Sequence, residues 1–337
     1  MALLPKAELH LHMEGAIEPA TAVALAARYG DAITEPEVAA RYATRDFSAF
    51  IEAYKWVTSY LRAPADYALV ARSVADDLLA HNVVYAEVTL SVGVMLLRKQ
   101  DVAANFRAIR EAAAAFEPRG LRLQWIFDAV RQFGPAPALA VARRAAEMRQ
   151  DGVVAFGIGG DELAVPASEF RDAYEFAAKS GLRRLMHAGE IGGPQSVRDA
   201  ITLLGVERVG HGIAAAHDTD LMRLLAERSL PLEICPTSNL RTGALARQLH
   251  LASTGFRDHP LPLLLRSGVP IAISTDDPAM FETDLDTEYA TLVEMGLSAQ
   301  EIVRVAETAF SAAFLPSADK AALIRQFRER AQSLGLL

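Results

Sequence analysis

Eight short apolar runs, many of them β-branched, recur along this chain, separated by longer stretches with Ala, Leu, Arg and Glu at helical spacing. The runs fall at residues 7–12, 83–90, 121–130, 153–160, 183–188, 208–212, 231–235 and 270–275. Stretches 141–149, 168–179, 196–204, 219–228 and 261–267 read as amphipathic helices. Strands that alternate with helices pair in parallel, because each helix carries the chain back across the sheet. Length alone allows two domains, but no Pro/Gly/Ser linker interrupts the series. The expectation is therefore an α/β fold, a TIM (β/α)8 barrel, as one domain over residues 1–337. An open doubly wound sheet would want a Gly-x-Gly-x-x-Gly turn after a strand, and Gly157, Gly159 and Gly160 have another spacing.

With 51% hydrophobic and 23% charged residues, 337 residues bury a large core without disulfides. The single cysteine, Cys235, removes a disulfide framework and suits a reducing compartment. Pro5, Lys6 and Glu8 interrupt any secretory leader, and no apolar run nears the roughly 18 residues of a membrane span. The expected location is cytoplasmic. A net charge of -8 with scattered cations argues against nucleic acid and for a small-molecule partner. Nothing in the chain fixes an oligomeric state.

The longest gap between strands, residues 15–82, carries Phe47, Phe50, Tyr54 and Trp56 at roughly helical spacing. Such aromatics usually belong to a core, but an insertion after the first strand of a barrel stands on the face where active sites form, so a helical lid is expected. Residues 298–337 read as extra C-terminal helices for packing.

His10 and His12, two apart on a strand, leave it on the same face. His187-Ala-Gly-Glu190 closes the fifth run, His211 the sixth, and Asp276-Asp277 follows the eighth. Residues at the C-terminal ends of barrel strands converge, so three imidazoles and a carboxylate can meet one cation. Three nitrogens and one oxygen, without thiolates, suit zinc with a position left for water, whose pKa then falls to about 7. That is hydrolytic chemistry. Bland readings exist for each part. His81, His217 and His250 read as surface or satisfied core groups, His259 before Pro260 as the start of a helix, His211 as a buried turn residue, and Asp276-Asp277 as an N-cap ahead of Pro278.

The segments Glu8-Leu-His10-Leu-His12-Met-Glu14-Gly15, His187-Ala-Gly-Glu190, Gly210-His211-Gly212, Cys235-Pro-Thr-Ser-Asn239 with Thr242-Gly243, and Ser274-Thr-Asp276-Asp277-Pro278 together resemble the adenosine deaminase family, in order from about residue 4 to 313. The resemblance implies a zinc-bearing barrel, one Zn2+ per chain, that hydrolyses the 6-amino group of adenine-type bases. It implies His10, His12, His187 and Asp276 as metal ligands. Glu190 is implied to protonate N1, His211 to orient the nucleophile, and Asp276 to take its proton. Asp277 would bond N7, the Gly160 N–H would meet N3, and Glu14 lies on the ribose side.

Glu190, just past a strand end, suits a carboxyl kept protonated by burial against a purine. One cysteine excludes the zinc deaminases built on Pro-Cys-x-x-Cys. A binuclear amidohydrolase would bring a bridging lysine on the fourth strand, which here ends Gly157-Ile-Gly-Gly160-Asp-Glu162. The chain departs from the family's common pattern at Met13, Gly157 and Ser274. Thr237 tilts the expectation from adenine toward a nucleoside, with adenosine first. Phe127-Asp-Ala-Val-Arg131-Gln and Phe156 to Glu162 resemble the branch acting on 6-aminodeoxyfutalosine, whose benzoate would want a cation such as Arg241. A catalytically silent nucleoside-binding barrel is the alternative of another class.

Overall fold

The computed structural model describes residues 2–43 and 46–337. The apolar runs become eight parallel strands hydrogen-bonded in chain order. They are β1 (Lys6–His12), β2 (Val83–Leu90), β3 (Arg122–Val130), β4 (Val153–Gly159), β5 (Arg183–Ala188), β6 (Arg208–His211), β7 (Leu232–Ile234) and β8 (Ile271–Ile273). Beyond β8 the sheet nearly closes on itself. Leu11 bridges Asp276, the His12 N–H donates to the Asp276 carbonyl at 2.8 Å, and the Asp276 N–H donates to the His10 carbonyl at 2.9 Å. The result is a TIM barrel with helices between its strands.

β7 and β8 are shorter than the runs that encode them. Pro231 and Pro270 accept through their carbonyls from Val209 and Leu232, but have no N–H to give, so the ladders begin one residue later. At the other end the chain leaves each ladder early to form the site.

The outer helices bury one stripe each. Helix Thr219–Glu227 packs Leu221, Met222 and Leu225 inward, and its N-cap Asp218 accepts from the Leu221 N–H at 2.9 Å. Truncating the fully buried Leu225 to Ala costs about 2–5 kcal/mol by lost transfer energy and cavity formation.

Inside the barrel, Ile126, Ala155 and Leu185 form an apolar cluster against Phe314. Beside it lies a charged one. Arg208, at the start of β6, contacts the carboxylates of Glu87 on β2 and Glu233 on β7, stacks 3.6 Å over the Phe314 ring and donates to the Ala312 carbonyl at 3.0 Å. The C-terminal helices Ala299–Ala312 and Ser317–Ser333 thus reach the barrel interior through their connection.

After β1 come α1 (Pro19–Ala27), α2 (Glu35–Tyr42), α3 (Phe47–Thr58) and α4 (Pro64–Ala80). α3 starts at Asp46, whose carboxylate accepts from the Ala49 N–H at 2.9 Å. It buries Phe50, Ala53 and Val57 and also roofs the cleft with Phe47, Phe50, Ile51, Tyr54 and Lys55. Core and lid are two faces of one helix. Among the described residues no helix is long and apolar enough to cross a membrane.

Candidate active site

β1 aims His10 and His12 into the mouth of the barrel. The His10 Nδ1 lies 2.8 Å from the Glu233 carboxylate, which holds the proton there and turns Nε2 inward; that Nε2 is buried and has no hydrogen-bond partner. On β5 the His187 Nδ1 donates to the Ile158 carbonyl at 3.2 Å, so its Nε2 also faces inward with a free lone pair. His12 Nε2 is 3.2 Å from His187 Nε2 and 3.3 Å from Asp276 Oδ1, and His10 Nε2 is 3.4 Å from that same oxygen. Ligand atoms bonded at about 2.0–2.2 Å round a tetrahedral ion sit roughly 3.3–3.6 Å apart, and these three separations lie close to that range, although His12 is not among the four donors that lie mutually within 4.8 Å. Burial pushes His12 down to about 4 and lowers His187 as well, keeping both neutral as ligation requires. His211 approaches the same space. It groups with His10, His187 and Asp276 within 4.8 Å, but its Nε2 stands 3.9 Å from Asp276 Oδ2.

His211 and Asp276 both hold the left-handed backbone conformation, with φ of 58° and 67°. Strain of this kind at non-glycine residues persists where surrounding structure imposes it, commonly at functional sites. Asp276 Oδ2 accepts from the Ser238 hydroxyl at 2.6 Å. Burial works against its charge, but His10, His211 and His12 outweigh it and hold the carboxyl well below the usual range. Asp277 is the reverse: burial and the adjacent Asp276 push it up, and its Oδ1 has no partner. Its side chain does not cap the short helix Pro278–Phe281, so the N-cap reading accounts for the backbone only. A Cβ on Gly15 would lie 1.7 Å from that oxygen, which explains the glycine.

Glu190 is buried 3.7 Å from His211 Nε2. Burial first, then the nearby Asp276 and Glu162 carboxylates, push it up to about 8. Its loop is pinned from below. Glu162 accepts from the N–H groups of Glu190, Ile191 and Gly192 at 3.1, 2.9 and 2.8 Å, and Gln248 donates to the carbonyls of Glu190 and Gly192 at 2.8 and 2.7 Å. A glutamate raised by burial, an imidazole lowered by it, an aspartate held low and an aspartate pushed up thus surround one point.

Above them opens a cleft with about 170 Å³ of interior space. Its floor holds His12, His187, Glu190, His211, Asp276 and Asp277, with Gly160 at one side. Phe47, Phe50, Ile51, Val94, Val130 and Phe133 give it an apolar wall, and Lys55, paired with Glu52 at 2.7 Å, is the Lys or Arg lining it among the described residues. Glu14 sits behind the wall, where it accepts from the Ser91 N–H at 3.0 Å and from Tyr54 Oη at 3.4 Å. Arg241 lies away from the cleft, paired with Glu282 at 2.8 Å near the surface, and is not the rim cation the sequence points to.

Several residues here received no role from the sequence. Asp128 faces Gly157 across β3 and β4, and a Cβ on Gly157 would lie 2.8 Å from its Oδ1; this buried cleft carboxylate explains that departure. Glu233, Glu87 and Arg208 announce themselves only as charges inside apolar runs. Among the remaining histidines, His81 is half-buried beside Asp77, Asp284 and Asp286, His250 caps a helix, and His259 is buried and joined to Asn239.

The adenosine deaminase family model matches residues 5–330. The aminodeoxyfutalosine deaminase of Streptomyces coelicolor is 39% identical over 328 residues, covering 95% of this chain and 83% of that protein. The crystal structure of adenine deaminase from Arthrobacter aurescens superposes with a TM-score of 0.89 at 30% identity, covering 98% and 99% of the two chains. A zinc-bound amidohydrolase from Burkholderia ambifaria gives 0.88 at 27%, covering 99% and 93%. With this site inside this barrel, the chain belongs to the adenosine deaminase family and is a hydrolase that deaminates purine bases or nucleosides.

Proposed function

We propose that this protein is a zinc-dependent aminohydrolase of a 6-aminopurine nucleoside, and that the nucleoside carries an apolar, anionic extension at its 5′ end, as in aminodeoxyfutalosine. One observation carries the chemistry: Glu190, pushed up to about 8 by burial, and Asp277, raised by burial and by Asp276, border the point where Asp276 meets the imidazoles of His10, His12 and His187. His10, His12, His187 and Asp276 would hold the ion, which would supply the Lewis acidity that makes water nucleophilic near neutral pH. Glu190 delivers its proton to N1, which makes C6 electrophilic. His211 orients the attacking oxygen, and Asp276 takes the proton released as the C–O bond forms. Asp276 returns its proton to the 6-amino group, the C–N bond breaks with release of ammonia, and the hydroxyl proton goes back to Glu190 as the 6-oxo purine forms. Asp277 donates to N7 and the Gly160 N–H to N3, fixing the ring. Glu14 serves the ribose side through Tyr54 and Ser91, which do line the cleft.

The apolar wall of the cleft favours the extended nucleoside over adenosine, and both over adenine. A free base would leave the walls of Phe47, Phe50, Val130 and Phe133 uncovered, while an aryl carboxylate would cover them and reach Lys55. The buried free Cys235 suits a cytoplasmic location. Measuring kcat/KM of the zinc-loaded protein on aminodeoxyfutalosine, adenosine and adenine tests the reading. The expected order is the order just given; adenosine or adenine in first place would overturn the extension, and no turnover of any 6-aminopurine would overturn the function.

A further inference from the structure

His259, Asn239 and His211 form a buried chain that ends on the nucleophile side of the site. His259 is 3% exposed, Asn239 0% and His211 1%. Pro260 has no N–H, so the first amide of helix Leu261–Arg266 is that of Leu261, and it donates to His259 Nδ1 at 3.1 Å. A backbone amide can only donate. His259 Nδ1 is therefore the acceptor, and a neutral ring carries its proton on Nε2. Burial, which pushes His259 down to about 3, keeps the ring neutral. That Nε2–H meets Asn239 Oδ1 at 3.3 Å, which fixes the amide: its Nδ2 points the other way and donates to His211 Nδ1 at 3.2 Å. His211 must then hold its proton on Nε2, the nitrogen facing Glu190 and Asp276 at 3.7 and 3.9 Å.

We infer that His259 and Asn239 are positioning residues that lock His211 in its Nε2–H tautomer. The lock has two consequences. His211 presents a donor, not a lone pair, to the attacking oxygen, and it withholds from the ion the very nitrogen that His10 and His187 offer. Those two rings are locked the opposite way, by Glu233 and the Ile158 carbonyl. Opposite tautomers thus separate the ligands from the neighbouring imidazole that falls within 4.8 Å of them. The catalytic consequence rests on the deaminase reading above; the tautomer itself does not.

Long-range nitrogen–proton NMR of the histidine rings tests the lock in the full chain, with and without zinc, His211 being assigned by its loss in His211→Asn. The expected parent spectrum has His211 protonated on Nε2. In Asn239→Asp a carboxylate draws that proton to Nδ1, and kcat falls by about a hundredfold or more while KM changes little. His259→Leu lowers kcat in the same way, and His259→Gln, whose amide can both accept from Leu261 and donate to Asn239, recovers most of the loss. A parent His211 protonated on Nδ1, or a reversed tautomer with undiminished kcat, would overturn the inference. If the variants fail to fold, the parent spectrum alone decides. A parent inactive on every 6-aminopurine would sink the functional reading and leave the tautomer standing.

Discussion

Replacing Glu190 with Gln removes the proton on which the proposed chemistry depends, and the structure sets the size of the effect. At an ordinary glutamate value of 4.5, only about 0.3% of the carboxyl would be protonated at pH 7; raised to about 8, roughly 90% is. Burial thus enriches the working form by about 300-fold, equivalent to about 3 kcal/mol of barrier. Glutamine preserves shape and polarity but cannot release a proton, so kcat is expected to fall by about 10²–10⁴ with bound zinc unchanged. The assay follows the shift in purine absorbance on deamination, with metal content measured on the same samples. The pH dependence has a definite sign. The acid must be protonated to act, so the parent's rate holds below about 8 and falls as pH rises through it; Glu190→Gln loses that limb. A zinc-loaded variant within tenfold of the parent, or a parent whose rate falls through pH 4.5 instead, would refute the reasoning.

Other perturbations test other parts. Glu233→Gln weakens the acceptor behind His10 and should lower zinc affinity by about 10–100-fold, read by competition with a chromophoric chelator. Lys55→Glu should raise KM for a nucleoside with an anionic 5′ extension by at least about tenfold and leave adenosine nearly unaffected, since only the former reaches the rim. Burial raises Glu288 to about 7, so between pH 4.5 and 7 the unfolded chain releases this proton while the folded one keeps it, and stability falls as pH rises across that window by up to about 3 kcal/mol. Denaturant titrations should show a flatter slope over the same window for Glu288→Gln.

Much of the barrel was readable because strands covered on both faces spell continuous apolar runs, and parallel pairing forbids the polar alternation that would blur them. β2 and β5 coincide with their runs, whereas β7 and β8 end early because Asp276 and the turn into Pro236 spend their backbone on the site. The inward-facing histidines were readable for the same reason, at known positions on known strand ends. What escaped was whatever depends on neighbours remote in sequence. Glu233 looks like a flaw in Leu-Glu-Ile until Arg208 and His10 are seen on either side of it. His259 ends the short turn Phe256–Asp258 rather than beginning helix Leu261–Arg266, whose N-cap is Pro260; one ring nitrogen accepts from the Leu261 N–H and the other reaches Asn239, a contact that no spacing encodes. Arg241 follows the seventh strand as a rim cation should, but it pairs with Glu282 away from the cleft, whereas Lys55 on the lid helix, itself paired with Glu52, does line it. The C-terminal helices pack as expected, but the stacking of Phe314, in their connection, on a barrel arginine joins residues about a hundred positions apart.

The central claim is the identity of the donors around the ion. Crystals grown with zinc and measured on both sides of the zinc absorption edge test it directly. The expected result is a single anomalous peak per chain, bonded to His10 Nε2, His12 Nε2, His187 Nε2 and Asp276 Oδ1, with His211 outside bonding distance. A peak bonded to His211 in place of His12, two peaks in the barrel mouth, or none at all would contradict it.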